Sequence, residues 1–281
     1  MKKSELTNLI LRKKSVLCVG LDSDLSKIPS CISNNKNTSD TIFEFNKAII
    51  DTTIPYSVAY KLNLAFYESA GIAGWDALMK TVSYIRSLKE PSFIIADAKR
   101  ADIGNTSKQY ANAFFGDGTT NPDFDAITVA PYMGYDSVAP FLTFKDKWVI
   151  LLALTSNSGA DDFQLATLDD KTKLFEKVLL KSKEWGNDEN MMYVVGATRP
   201  EMLKKIREIV PDNFLLIPGV GAQGGDLLEV LTNSWNNSAG ILINASRSII
   251  FASNDESFAQ AAADEAKRMQ LIMENFINSK I

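Results

Sequence analysis

The chain has 281 residues, of which 46% are apolar and 23% are charged, and its formal net charge is −4. These values are ordinary for one globular domain, and the mixed charges show no basic patch of the kind that nucleic-acid-binding surfaces carry. The sequence contains no histidine, which excludes Ser-His and Cys-His nucleophile pairs and zinc sites built on imidazole. In an enzyme, Lys, Asp, Glu, Tyr or Arg would have to transfer the protons.

The cysteines and the N-terminal segment indicate the cellular compartment. Cys18 and Cys31 are too few for a disulfide framework or an all-thiolate zinc site, so a reduced intracellular protein is expected. The apolar run 16–21 is too short for a signal-peptide core or a membrane span. We therefore expect a cytoplasmic protein with neither a nucleic acid nor a membrane as its partner.

Short apolar, β-branched runs recur along the chain and predict strands. Most are continuous rather than alternating, as in Phe93-Ile94-Ile95-Ala96, which is typical of strands that are buried on both faces of a parallel sheet. In chain order, the predicted strands are Ser15–Asp22, Ser57–Asn63, Ser92–Ala98, Ala126–Ala130, Trp148–Thr155, Met192–Gly196, Phe214–Gly219 and Gly240–Ala245.

Helical patterns separate these runs. The spacing of apolar residues predicts helices over Thr38–Thr53 and Gly74–Leu88, and a final helix is predicted from Asp255 to about Asn278. Thr198-Arg199-Pro200-Glu201 indicates a capping box that opens another helix. The alternation predicts an α/β protein with one (β/α)8 TIM barrel over residues 1–281, and an open doubly wound sheet is the alternative.

The third predicted strand ends in an acid–lysine–acid run. Asp97 and Lys99 are two residues apart, so both side chains point to the same side of the strand, and Asp102 follows in the turn before the next helix. Charges at the end of so apolar a strand must be paired, because an unpaired buried charge is strongly unfavourable. The spacing is compatible with a catalytic cluster and with a structural ion pair at the barrel mouth.

Lys61 lies at the carboxyl end of the second predicted strand. A lone strand lysine is commonly exposed at the surface, but active sites of TIM barrels lie at this end of the strands. There Lys61 and Lys99 would alternate with Asp97 and Asp102, and the anions would keep the lysines protonated.

A glycine-rich loop and an arginine follow the last two predicted strands. Pro218-Gly219-Val220-Gly221-Ala222-Gln223-Gly224-Gly225 opens a helix, where backbone N–H groups favour an anion. Arg247 follows the eighth strand and brings a guanidinium to the neighbouring position. Phosphate sites recur after strands seven and eight of TIM barrels, so we expect one here. The alternative is a flexible loop beside a surface arginine.

The segment from Ile94 to Thr106, with its core Asp97-Ala98-Lys99-Arg100-Ala101-Asp102, closely resembles the signature of orotidine 5′-monophosphate decarboxylases. Further similar segments occur in the expected order over residues 19–248, which is nearly the whole chain. They are Val19-Gly20-Leu21-Asp22, Tyr60-Lys61-Leu62-Asn63, Thr155-Ser156-Asn157, Val195-Gly196-Ala197-Thr198, the Pro218–Gly225 loop and Ser246-Arg247-Ser248. The Thr-Ser-Asn and Val-Gly-Ala-Thr segments are similar to the second bacterial subgroup of that family.

The resemblance implies roles for the charged run. Lys99 would donate a proton to C6 of the pyrimidine after carbon dioxide leaves, with Asp97 against the substrate carboxylate. Asp102 and Thr106 would come from the partner subunit of a homodimer. Lys61 would belong to the same charged array.

The resemblance also implies substrate contacts for the nucleotide orotidine 5′-monophosphate. Asp22 and Lys61 would bind ribose hydroxyls, and Ser156 would contact the pyrimidine. The phosphate would be held by the strand-seven loop and the strand-eight arginine, through Pro218, Gln223 and Arg247. The chain departs from the family at Ser246, where glycine is common. The family reaction, which belongs to pyrimidine biosynthesis, requires neither a cofactor nor a metal.

Two other functions stay open at this point. Sugar-phosphate decarboxylases and aldol-type synthases on the same barrel carry a similar Asp-x-Lys-x-x-Asp run and use magnesium, for which Glu68 and Asp125 are candidate ligands. A nucleotide-binding barrel without catalysis, with a regulatory role, is the second alternative.

Overall fold

The barrel strands come at regular intervals along the chain. The structure is a computed structural model and describes residues 1–34, 36–197, 200–220 and 226–280. Within these ranges, eight parallel strands pair in sequence order, and the last pairs with the first to close the barrel. They are β1 (Leu17–Gly20), β2 (Ala59–Asn63), β3 (Phe93–Arg100), β4 (Ala126–Val129), β5 (Trp148–Leu154), β6 (Met191–Val195), β7 (Leu215–Pro218) and β8 (Ile241–Ala245).

The connections between strands are mostly helical. Short 3-10 helices cover Leu25–Lys27 and Ser158–Asp161. The α-helices of the described ranges are α1 (Lys3–Lys13), α2 (Ser30–Ser33), α3 (Thr38–Thr53), α4 (Leu64–Glu68), α5 (Gly71–Ser87), α6 (Gly104–Phe114), α7 (Tyr135–Leu142), α8 (Leu174–Ser182), α9 (Pro200–Ile209), α10 (Leu227–Ser234), α11 (Arg247–Ile250) and α12 (Phe258–Asn278).

The closed barrel confirms the predicted fold class and shows that the open doubly wound alternative is wrong. Each predicted strand is present, with ends that differ by at most two residues. Their continuous apolar character follows from the architecture, since one face packs inside the barrel and the other against the helices; β1, β6 and β8 are buried throughout. The expectation that residues 1–281 form one domain stays a prediction.

The helices agree with the apolar spacing where that spacing is regular. Helix α3 has the predicted bounds, and the side chain of Asn37 caps it by accepting from the Asp40 N–H. Helix α5 begins earlier than predicted, at Gly71, and α12 begins later, at Phe258. Helix α9 is present as predicted, whereas the first two residues of its capping box, 198 and 199, lie outside the described residues.

Both cysteines are free thiols. Cys18 is buried, Cys31 is exposed, and neither forms a disulfide. Among the described helices, none combines the length and the apolar character that crossing a bilayer requires.

Candidate active site

A cavity of about 300 Å³ opens at the carboxyl ends of the strands. Every strand contributes to its wall, either with its last residues or with the residues that follow. This is the end of a TIM barrel at which active sites are found. The lining residues are Asp22, Lys61, Asn63, Asp97, Lys99, Thr128, Leu152, Thr155, Ser156, Asn157, Val194, Leu216, Pro218, Gly219, Val220, Asn244, Ala245, Ser246, Arg247 and Ser248.

The predicted charged residues meet on one side of this cavity. Lys61 donates to Oδ2 of Asp97 at 2.8 Å, and Lys99 donates to Oδ1 of the same carboxylate at 2.6 Å. Asp22 lies 3.5 Å from the Lys61 ammonium. The four side chains therefore form a continuous acid–base array, in which Asp22 and not the expected Asp102 is the second acid within this chain.

Burial and charge together determine the protonation of the array. Burial alone would raise the pKa of Asp97, but the neighbouring ammonium groups of Lys61 and Lys99 outweigh it and hold that pKa well below its usual range. Burial would likewise lower the pKa of Lys61, but Asp97 and Asp22 raise it above its usual value. Asp97 is therefore an anion and Lys61 a cation at neutral pH.

The side chains of Lys61 and Lys99 differ in solvent exposure. The Lys61 side chain is 5% exposed, whereas the Lys99 side chain is 51% exposed and extends into the cavity from the end of β3. The Lys99 backbone has φ of +46°, in the left-handed region that a lysine rarely adopts. The register between β3 and β4 shifts at this point, which is a bulge of the kind that redirects side chains near active sites.

The described residues expected to hold the phosphate lie at the end of β7 and after β8, at the same cavity. Pro218, Gly219 and Arg247 all line it, and Gly219 has φ of +95°, which only glycine adopts readily. The Ser246 hydroxyl donates to the carbonyl of Gly20 at 3.1 Å, so it is directed toward β1. Gln223 lies outside the described residues.

Ser156 lines the cavity after β5. The end of β6 approaches it closely, because a Cβ atom on Gly196 would lie 2.7 Å from the Ser156 backbone nitrogen. The preceding Thr155 is held by Gln164, whose side-chain oxygen accepts from the Thr155 backbone N–H at 2.7 Å. Residues 155 and 156 are thus held between Gly196 at the end of β6 and the side chain of Gln164.

Two predicted residues do not line the cavity of their own chain. Asp102 is half-buried and Thr106 is exposed; both lie in the turn and first helical residues after β3. Two apolar side chains that follow the paired ends of β3 and β4 are also exposed: Ile103 by 59% and Tyr132 by 91%. The assignment of Asp102 and Thr106 to a partner's site stays a prediction.

The cavity contains polar residues to which the sequence assigned no role. Thr128, Asn63 and Asn244 lie at the ends of β4, β2 and β8, and all three line the cavity. Their position at predicted strand ends is the signal that could have identified them, since the same argument selected Lys61. Thr128 and Asn244 carry no charge and belong to no segment of the family resemblance, and Asn63 belongs to one but was assigned no role.

The two acids that would favour a magnesium-dependent relative lie elsewhere. Asp125 precedes β4 at the opposite end of the barrel, where Arg86 lies 2.9 Å from its carboxylate. Glu68 pairs with Arg100 outside the cavity lining. Within the described ranges, no group of three or more acidic or cysteine side chains is arranged to hold a metal ion.

A closed parallel barrel with a lysine–aspartate array at the carboxyl ends of its strands defines a TIM-barrel enzyme. The chain belongs to the orotidine 5′-phosphate decarboxylase / HUMPS family, whose model matches residues 15–262. This confirms the family resemblance of the sequence motifs.

Similar proteins cover the whole chain. An orotidine 5′-phosphate decarboxylase from Phocaeicola vulgatus is 56% identical over 99% of this chain and 99% of its own length. One from Flavobacterium johnsoniae is 54% identical, with all of both chains covered. The structure of the Leishmania donovani OMP decarboxylase superposes with a TM-score of 0.77 at 33% identity, over 96% of this chain and 99% of that chain.

Proposed function

We propose that this chain is a carboxy-lyase that converts orotidine 5′-monophosphate to uridine 5′-monophosphate in pyrimidine biosynthesis, without a cofactor. The observation that carries the proposal is the Lys61–Asp97–Lys99 array in the cavity. The similar decarboxylases named above support the choice of substrate.

Asp97 supplies the electrostatic repulsion that favours loss of carbon dioxide in this proposal. It is an ionised carboxylate with a side chain only 10% exposed. A substrate carboxylate brought beside it is repelled, and the repulsion disappears when carbon dioxide leaves. Binding energy from the phosphate and ribose, remote from the reacting carbon, can hold the substrate in this position.

Lys99 acts next. Loss of carbon dioxide leaves carbanion character at C6 of the pyrimidine, which a nearby ammonium stabilises electrostatically. Lys99 then donates a proton to C6. Its ammonium suits this role because it projects into the cavity while Asp97 holds it from one side.

The remaining predicted residues bind the nucleotide. Asp22 and Lys61 contact ribose hydroxyls, and Ser156 contacts the pyrimidine. Pro218 and Arg247, together with Gln223, hold the phosphate. The presence of Pro218, at the end of β7, and Arg247, after β8, in the cavity lining supports this assignment. The arginine suits a dianion because its guanidinium is planar and permanently charged.

We further propose a homodimer in which Asp102 and Thr106 complete the partner's site. Exposed Ile103 and Tyr132, which follow the paired ends of β3 and β4, support an interface here, because clustered apolar side chains mark interaction surfaces. Lys99→Ala and Asp102→Ala should each be inactive. Mixing them under conditions of subunit exchange should restore partial activity, since one site of the mixed dimer regains both groups. No recovery after verified exchange would contradict the shared site.

The decisive experiment is a decarboxylation assay that follows orotidine 5′-monophosphate by ultraviolet absorbance. Lys99→Ala should lose turnover by several orders of magnitude while it still binds uridine 5′-monophosphate. Lys267→Ala, on the exposed face of α12, is the matched control and should behave as the wild type. Near-normal turnover of Lys99→Ala would refute the proposed mechanism.

The same assay separates the alternatives. Turnover that persists in EDTA supports the cofactor-independent reaction, whereas its loss and recovery with magnesium would indicate the metal-dependent class. Binding of the nucleotide without spectral conversion would indicate a barrel without catalysis. The cytoplasmic location expected from the sequence stays a prediction.

A further inference from the structure

Thr128 links the two reacting residues of the array. It lies near the end of β4 and is 1% exposed. Its hydroxyl oxygen accepts a hydrogen bond from the Lys99 backbone N–H at 2.9 Å and donates one to Oδ1 of Asp97 at 3.0 Å. A hydroxyl has a single proton, so accepting from Lys99 leaves that proton for the carboxylate.

The bulge in β3 explains why a side chain is needed here. Ala96 pairs with Ile127 and Arg100 pairs with Val129, so three residues of β3 lie opposite a single residue of β4. Within this segment the Lys99 backbone N–H bonds to the Thr128 hydroxyl. The side chain thus replaces a regular ladder contact at the point where the backbone turns left-handed.

We propose that Thr128 is a positioning residue: its hydroxyl holds the left-handed Lys99 backbone and the Asp97 carboxylate in the arrangement that decarboxylation requires. This inference rests on the proposed function, because it assigns Thr128 to that chemistry. Thr128 acts through Asp97 and Lys99.

The physical reason is the strain at Lys99. A non-glycine residue keeps a left-handed conformation only where its surroundings over-determine it. Without the hydroxyl, one constraint on the Lys99 backbone and one donor to Asp97 are lost together. A displacement of about 1 Å in a reacting group can reduce a rate by about 100-fold.

The test compares variants that keep or remove the hydroxyl. Thr128→Val preserves the branched shape and should lower kcat by about 10- to 100-fold, with little change in KM. Thr128→Ser retains the hydroxyl and should restore most of kcat. Turnover is normalised to the sites that bind uridine 5′-monophosphate, so a reduced folded fraction does not mimic the effect.

Thr53→Val is the matched control. Thr53 is also fully buried, and its hydroxyl makes two hydrogen bonds, to the Ile49 carbonyl at 2.7 Å and to the Tyr60 hydroxyl at 3.0 Å. This variant should lose thermal stability and keep the wild-type kcat. If Thr128→Val fails to fold, Thr128→Ala takes its place against Thr128→Ser.

The outcomes separate this inference from the function on which it rests. An active wild type with kcat unchanged in Thr128→Val, or a serine variant as slow as the valine variant, would overturn the positioning role alone. A folded wild type that does not decarboxylate the nucleotide would overturn both proposals. A low kcat in the valine variant, rescued by serine and absent from Thr53→Val, supports the inference.

Discussion

Replacing Asp97 by asparagine should destabilise the fold as well as remove activity. Lys61 is buried with its ammonium 2.8 Å from Asp97 and 3.5 Å from Asp22. Asparagine keeps the shape of the side chain and removes its charge. The buried lysine then retains only the more distant and more exposed carboxylate of Asp22.

The magnitude follows from the distances. At 2.8 Å and an effective dielectric constant of about 20, the attraction between Lys61 and Asp97 is about 6 kcal/mol before desolvation. Asp22 offsets part of this loss, and the neutral amide is less costly to bury than a carboxylate. Breaking buried pairs typically costs about 3–5 kcal/mol, so we expect a loss near 3 kcal/mol in the free energy of unfolding.

The pH dependence has a definite sign. The pKa of Asp97 is lowered in the folded protein because Lys61 and Lys99 outweigh the effect of burial. Its stabilisation is therefore fully present above the unfolded-state pKa of about 3.9 and declines as the pH falls toward the folded value. The difference between the wild type and Asp97→Asn should be constant between about pH 8 and pH 5 and should shrink below about pH 4.

Urea unfolding at a series of pH values measures this difference. Asp170→Asn is the control, because this exposed carboxylate lies 3.8 Å from the exposed Lys177 and asparagine keeps the Oδ1 that accepts from the Thr172 backbone N–H. This substitution should leave the unfolding midpoint unchanged at neutral pH. A difference for Asp97→Asn below about 1 kcal/mol at neutral pH, or one that grows as the pH falls, would refute the reasoning.

Two further predictions concern residues outside the charged array. Burial lowers the pKa of Arg207 to about 10, and its guanidinium donates to backbone carbonyls that include those of Ser234, Asn213 and Gly240. Because Arg207→Met leaves these carbonyls without their donor, it should lower the free energy of unfolding by about 3 kcal/mol. An unchanged urea midpoint would contradict this prediction. Gly196→Ala places a Cβ 2.7 Å from the Ser156 backbone nitrogen, so Ser156 must shift. Because Ser156 is proposed to contact the pyrimidine, the shift should reduce kcat/KM by about 10- to 100-fold. Steady-state kinetics like those of the wild type would show that Ser156 does not contact the pyrimidine.

The sequence by itself determined the eight strands and where to look for the site. Strands buried on both faces must be apolar throughout, so runs such as Phe93-Ile94-Ile95-Ala96 remain recognisable without any tertiary information. Parallel strands all end on the same side, so Lys61 and Asp97 could be assigned to one cavity although they are far apart in the chain. The two-residue spacing of Asp97 and Lys99 likewise predicted that both face it.

Only the tertiary structure decided that the sheet closes into a barrel and which strands pair. An open sheet and a barrel use the same apolar runs, and what distinguishes them is the pairing of β1 with β8. The register shift opposite Thr128 depends on how two strands align, which no local pattern encodes, so the hydrogen bonds of Thr128 were not foreseen. Asp125 was a candidate magnesium ligand in the sequence, although the predicted strand Ala126–Ala130 already placed it before the fourth strand. Its place before β4, rather than after it, puts it at the opposite end of the barrel, because the chain direction of each strand sets which of its ends faces the cavity.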